Sequence, residues 1–359
     1  MRKHIPPLTS LRFLAAVWVF VFHLYLWHGP LASGPLDKLI HSGPVGMTFF
    51  FVLSGFILAL AADGTNPLAD FRGYAVRRLA RIYPIYLFII VSGWLLNGFA
   101  GDDLGEKPLR SAAAHGIADL TLTNAWFPQL FHGGHGRDGT WSLSAEVFFY
   151  ALFPLILYHA RELSDRALTL GVRWAIGLTV FFALLGKYIQ PDPVAGFAVF
   201  YSIPIFRLPE FVAGVFAGVL AIRTTITPPT GRQLGWSFLA IVAYFAIFAK
   251  SLPFVAHGLF AIPFLLLAFT YFARTSEGRV VRIFAHPVFV FLGEASFALY
   301  LVQLVTIPWF RANATGLGLR PAIALCFVVT LALACLVHVA IERPMRPLVS
   351  RWLVAKPTA

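Results

Sequence analysis

The chain has 359 residues, of which 58% are hydrophobic, 16% aromatic and only 12% charged, with a formal net charge of +12. Soluble domains carry roughly twice that charged fraction. A mean hydropathy of +0.76 and repeated long apolar runs exclude an ordinary soluble domain and place the chain among polytopic membrane proteins. The two cysteines, Cys326 and Cys335, lie nine positions apart on one apolar segment, so a helix points them to opposite faces and they cannot pair. No disulfide framework or cysteine-based metal centre follows.

Taken in chain order, apolar runs predict ten membrane helices, at 8–28, 44–61, 82–98, 140–159, 169–186, 197–222, 234–250, 253–273, 286–309 and 320–340. Arg2 and Lys3 before the first run resemble a signal-peptide start, but the run is too long for an ordinary h-region and further spans follow. The longest connection, 99–139, holds a weakly apolar piece, "SAAAHGIADLTLTNAWFPQL", that reads as an eleventh span or a re-entrant segment. Charge decides against an eleventh span. With ten spans and both termini cytoplasmic, nineteen Lys and Arg fall on cytoplasmic segments and eight outside, with Arg207 within a span. The basic balance is therefore topological, and nucleic acid is not expected as a partner. The expected architecture is an all-α polytopic membrane protein, one transmembrane domain over 1–359 with its core at about 8–347 and no fused soluble domain.

Polar residues inside these runs are the candidates for chemistry, because an ionisable group in hydrocarbon is costly. Arg12 and His23 are eleven residues apart on the first span. A helix places them on one face, about 16 Å apart along the axis, with Arg12 near the cytoplasm and His23 toward the outer half. Arg12 also suits an interfacial anchor, and His23 an interhelical hydrogen bond. Ser54–Gly55, in "FFFVLSGF", permits close approach by another backbone or by a thin ligand. Arg78 and Arg81 share a helix face at the expected cytoplasmic surface and suit phosphate, although positive-inside charge explains them equally. Glu146, in "TWSLSAEVFFY", lies about 9 Å below the expected outer surface, at a depth where it could meet His23. Arg207 and Glu210 flank Pro209 and form either a self-neutralising pair or a device that orients a substrate. Glu294 and Glu342 read as structural. The external "HGGHG", 132–136, has two histidines without further ligands and reads as a loop; no metal is expected.

The ordered series "LRFLAAVWVFVFH", "FFFVLSGF", "RRLARIYPIY", "TWSLSAEVFFY", "FRLPEFVAG", "LGEASFALYLVQ" and "IERP" resembles acyltransferase family 3, the bacterial integral-membrane O-acyltransferases, from about Leu8 to Pro347. The resemblance implies transfer of an acyl group, usually acetyl, from cytoplasmic acyl-CoA to a hydroxyl of an envelope or secreted glycan. The implied setting is the bacterial inner membrane. It implies His23 and Glu146 as catalytic residues and Arg12, Ser54, Gly55, Arg78 and Arg81 as the acyl-CoA contacts. Trp141, Arg207 and Glu210 would position the acceptor. No permanently bound cofactor is implied. The expected partners are acyl-CoA, a glycan or lipid-linked sugar, the bilayer and other envelope-glycan assembly proteins. Two departures stand out: Gln303 occupies a position where the family often has His, and no esterase-like domain follows the last span. The alternatives are a glycan or small-molecule transporter and an acyltransferase acting on a small natural product.

Overall fold

A computed structural model describes residues 5–29, 31–97, 109–127, 139–189, 197–223, 227–314, 316 and 318–354. Among these residues there is no β-strand. Fifteen α-helices lie among the described residues. They are α1 (Pro6–His28), α2 (Gly34–His41), α3 (Val45–Ala61), α4 (Phe71–Asn97), α5 (Leu109–Leu120), α6 (Trp141–Glu162), α7 (Asp165–Ile189) and α8 (Pro204–Arg223). There follow α9 (Gly231–Phe248), α10 (Gly258–Arg274), α11 (Arg279–Phe284), α12 (Pro287–Glu294), α13 (Ser296–Asn313), α14 (Leu319–Val337) and α15 (Arg343–Val354). π-helical turns at Phe197–Tyr201 and His338–Glu342 lead into α8 and α15.

Among the described residues seven helices are long and apolar enough to cross a membrane. The number is nine if the bent pairs α2–α3 (46°) and α12–α13 (54°) each make one crossing. The expected span at 82–98 lies on α4 as far as Asn97, a helix of 27 residues that is outside that set, so the count of ten is not reached on apolar length alone. Of the stretch expected to be re-entrant or an eleventh span, 111–127 lies among the described residues. Helix α5 has 12 residues, a rise of about 18 Å, which is short of a core about 30 Å thick.

The chain divides into two compact units, 1–66 with 152–294, and 67–151 with 295–359, so one division falls inside α6. In the first unit α3 packs along α8, α8 along α7, and α1 along α12. Glycine permits the closest of these approaches. A Cβ on Gly55 would meet the Phe211 carbonyl oxygen, one on Gly214 the Val52 carbonyl oxygen, and one on Gly293 the Thr9 carbonyl oxygen. In the second unit α13 packs on α14, and α4 on α15 and α13.

Charged residues gather as the loop bias requires. Arg161 donates to the carbonyls of Ala62 and Thr65 at 2.6 and 2.7 Å, closing the end of α3. Arg223 bridges Asp165 at 2.8 Å and donates to the Arg161 carbonyl at 2.7 Å. The segments following α3, α6 and α8, all assigned to one side by the charges, therefore meet. Lys250 pairs with Asp37 at 2.7 Å and Lys38 donates to the Ile247 carbonyl at 2.9 Å, joining two segments assigned to the other side.

Candidate active site

Arg12 and His23 both lie on α1, an uninterrupted helix begun by Pro6 at its first turn, where a missing N–H costs nothing. Both side chains are half-buried. Beside His23 stands an aromatic group: Phe22 lies 6.0 Å from its ring and 6.3 Å from the ring of His41, and His41 in turn is 5.2 Å from Phe254. His23 thus sits at an end of the unit walled by rings.

The Ser54–Gly55 step lies on α3. The face of Gly55 is filled by the backbone of Phe211 and Val215, which corrects the expectation that a ligand passes there: the glycine serves helix packing. Ser54 is half-buried.

Arg207 and Glu210 are fully buried. The guanidinium Nε and Nη2 donate to Glu210 Oε2 at 3.1 and 2.9 Å, and Nη1 donates to the Tyr201 carbonyl at 3.1 Å. Thr48 donates its hydroxyl to Glu210 Oε1 at 2.9 Å. The rings of Tyr201 and Phe51 cover the guanidinium, at 4.7 and 5.1 Å from Cζ. Such a pair is tolerable in a low dielectric because its atoms are satisfied from several directions. These contacts are those of the self-neutralising pair, and they turn the charges toward the protein rather than toward an acceptor. Pro209 is accommodated inside the continuous helix α8, so no loosened segment separates the partners.

In the second unit Arg78 lies over the rings of Tyr74 and Tyr150, at 5.8 and 6.0 Å. The Tyr150 hydroxyl donates to the Glu146 carboxylate one turn away on α6. Arg81 is within electrostatic range of Tyr150, Glu146 and Glu342. Sequence reasoning put Glu146 near the outer surface and the arginine pair at the inner one; the fold brings them into one cluster. The reason is the short helix α5 and the turn after it. Tyr83 and Tyr86 on α4 donate to the carbonyls of Leu120 and Asp119, at 2.9 and 2.8 Å. Asn124 donates to Asp119 Oδ1 at 3.2 Å and to Thr140 Oγ1 at 2.6 Å. Helix α6 therefore begins beside Tyr86, midway along α4, and runs from there toward Arg78. His23 belongs to the first unit and Glu146 to the second.

Trp141 opens α6 and is buried. The turn before it is held by Tyr300, which donates to the Gly139 carbonyl, and by Ser142, whose one hydroxyl proton is shared between the Tyr300 oxygen at 2.9 Å and the Gly139 carbonyl at 3.2 Å. Gln303 is buried and donates to the Tyr300 carbonyl at 3.0 Å. Glu342 is buried against His338 Nδ1 at 2.8 Å and Arg346 at 3.1 Å, in keeping with a structural part. Sequence reasoning missed Tyr74 and Tyr150. Tyr150 was findable, since it lies four residues after Glu146 and so on the same helix face. Tyr74 holds the same relation to Arg78. The two histidines of 132–136 fall outside the described residues. Among the described residues no group of three or more His, Cys, Asp or Glu is placed to hold a metal.

An all-helical chain with seven to nine membrane-crossing candidates, a histidine and an arginine on its first helix, and an Arg–Tyr–Glu cluster has the make-up of an integral-membrane enzyme. Residues 7–339 match the acyltransferase domain family, and the chain belongs to that family; it is an acyltransferase. It is 26% identical to acyltransferase MdmB of Streptomyces mycarofaciens, over 97% of this chain and 93% of that protein. It is 24% identical to the putative acetyltransferase ORF330 of Acidianus two-tailed virus, over 85% of this chain and 84% of that one. It is also 24% identical to peptidoglycan O-acetyltransferase OatA of Listeria monocytogenes, over 84% of this chain but 49% of that protein, so it spans about half of that relative's length. No solved structure matches the chain.

Proposed function

We propose that the protein is a membrane O-acyltransferase that moves an acyl group, acetyl in the simplest case, from cytoplasmic acyl-CoA to a hydroxyl of a cell-envelope or secreted glycan. The observation that carries this reading is Arg12 and His23 on one uninterrupted helix, about 16 Å apart, in a chain of the acyltransferase family. The O-acetyltransferase names of its relatives support the acetyl group and the oxygen acceptor.

In this reading ten helices cross the cytoplasmic membrane, α4 being the tenth, with both termini inside. Arg78 and Arg81 take the CoA phosphates, because guanidinium offers several donors and stays charged, and Arg12 is a further acyl-CoA contact, on α1. Glu146, through Tyr150, balances and orients that pair. The pantetheine arm runs along α1 past Ser54, bringing the thioester toward His23. His23 accepts the proton of the acceptor hydroxyl as its oxygen attacks the thioester carbonyl. The C–S bond breaks, the ester forms, and His23 returns the proton to the departing thiolate. Trp141 lines the acceptor side. Arg207 and Glu210 act from behind, by holding α8 to α3.

The test is transfer of labelled acetyl from acetyl-CoA in membranes holding the wild-type or a folded His23→Ala protein, with mass spectrometry of the envelope glycans. Loss of both CoA release and glycan acetylation in the variant is expected. Near-normal transfer by His23→Ala would sink the assignment, and CoA-independent movement of glycan would favour a transporter.

A further inference from the structure

In the first unit a cavity of about 550 Å³ lies between α1, α3, α9, α10 and α11, within the range of about 300–1,000 Å³ found for ligand clefts. None of its lining residues is charged or bears a hydroxyl. Leu14, Ala15 and Trp18 of α1 form one wall, Phe238 of α9 and Ala268 of α10 others. The one polar group in this wall, the Trp18 indole N–H, is already donated to the Leu39 carbonyl at 2.8 Å.

Its lining on α9 runs from Gly231 to Phe245, a rise of about 21 Å. The mouth faces outward: Leu14 is 47% and Phe238 55% exposed, and their neighbour on α9, Trp236, is 66% exposed. Because α1, α9 and α10 all belong to membrane-crossing segments, the medium at that mouth is hydrocarbon.

We infer that this crevice seats one fatty-acyl chain of a bilayer phospholipid. An unfilled apolar cavity leaves its lining atoms without dispersion partners, and a chain entering from the side supplies them without displacing any polar group. Bilayer phospholipid is the occupant because its acyl tails are the hydrocarbon that meets the mouth. The seated chain presses on the face of α1 next to the one that carries Arg12 and His23, so it braces the helix on which the proposed chemistry depends. The lipid site itself does not depend on that chemistry.

The full chain in phospholipid nanodiscs, with a trace of phospholipid bearing a diazirine midway along one acyl chain, provides the test. After illumination, adducts are mapped by peptide. Adducts around Leu14, Phe238 and Ala268 are expected at least tenfold above those at Val328 and Leu336, which face outward on α14 at 62% and 61% exposure. Gly235→Leu should bring them down to that level; a Cβ at Gly235 meets nothing within 4 Å, so the side chain enters open space. Ala268→Val serves as a second filler should the first fail to fold. Labelling no stronger than on α14, or unchanged in a folded filler variant, overturns the inference. Displacement of the probe by polyprenyl phosphate but not by excess phospholipid also overturns it, by assigning another occupant.

Discussion

Gly55 on α3 and Gly214 on α8 each lie against the other helix's backbone, so neither position has room for a methyl group. Gly214→Ala would push its Cβ into the Val52 carbonyl and separate helices that otherwise touch. A loss of about 1–3 kcal/mol is expected, as for other overpacked cores. Thermal unfolding in detergent measures it, and an unshifted midpoint would show that α3 and α8 can part at no cost. Gly55→Ala should behave alike, and its effect on acyl-CoA affinity should be no larger than its effect on stability.

The buried pair of Arg207 and Glu210 makes a sharper demand. Glu210→Gln leaves a guanidinium in an apolar interior with its charge uncompensated, which costs about 3–5 kcal/mol where such pairs are broken. Replacing both, as Arg207→Met with Glu210→Met, should cost clearly less. A double-mutant cycle on unfolding midpoints checks this. If both single variants stay as stable as wild type and only acceptor KM rises, the pair is a substrate-orienting device after all.

Tyr150 joins Glu146 to Arg78. Tyr150→Phe keeps the ring under the guanidinium and removes the hydroxyl that donates to the carboxylate, a bond to a charged group worth about 1.5–3 kcal/mol. The expected result is a rise of about tenfold or more in acetyl-CoA KM beside a lowered unfolding temperature. An unaltered KM would detach this cluster from the donor.

His23→Ala and Arg12→Ala should fail differently. Loss of a general base lowers the rate by about 10²–10⁴-fold, so His23→Ala should retain acetyl-CoA binding while turnover collapses. Arg12→Ala should weaken acetyl-CoA binding, and the deficit should shrink at saturating donor. Isothermal binding titrations beside turnover assays separate the two. Equal loss of binding in both variants would mean that α1 is merely misplaced.

The helices and the grouping of basic loops were legible in the sequence because hydropathy and loop charge act locally. Arg161 meets the end of α3, Lys250 meets Asp37 and Lys38 meets the Ile247 carbonyl, each within segments that the bias assigns to one side. Depth was not legible. Counting residues from the start of α6 put Glu146 near a surface, because nothing in "TWSLSAEVFFY" announces that its first residue is tied to the middle of α4 through Tyr86, Asp119 and Asn124. Those bonds join residues far apart in the chain, and each residue alone looks like ordinary loop or belt chemistry. Arg207 and Glu210 were visible as a pair, but Thr48 and Tyr201, which fix where their charges point, come from other elements.

The recessed start of α6 has a consequence for electrical insulation. Helix α4 continues eleven residues, about 16 Å, past Tyr86, whereas α6 begins beside that tyrosine. A full bilayer core is about 30 Å of hydrocarbon, yet between Tyr86 and the Arg78–Glu146 cluster lie only eight residues of α4, about 12 Å of helix. In the proposed reaction, polar groups drawn this close together narrow the barrier that the acyl group crosses, while the highly charged acyl-CoA stays on its own side.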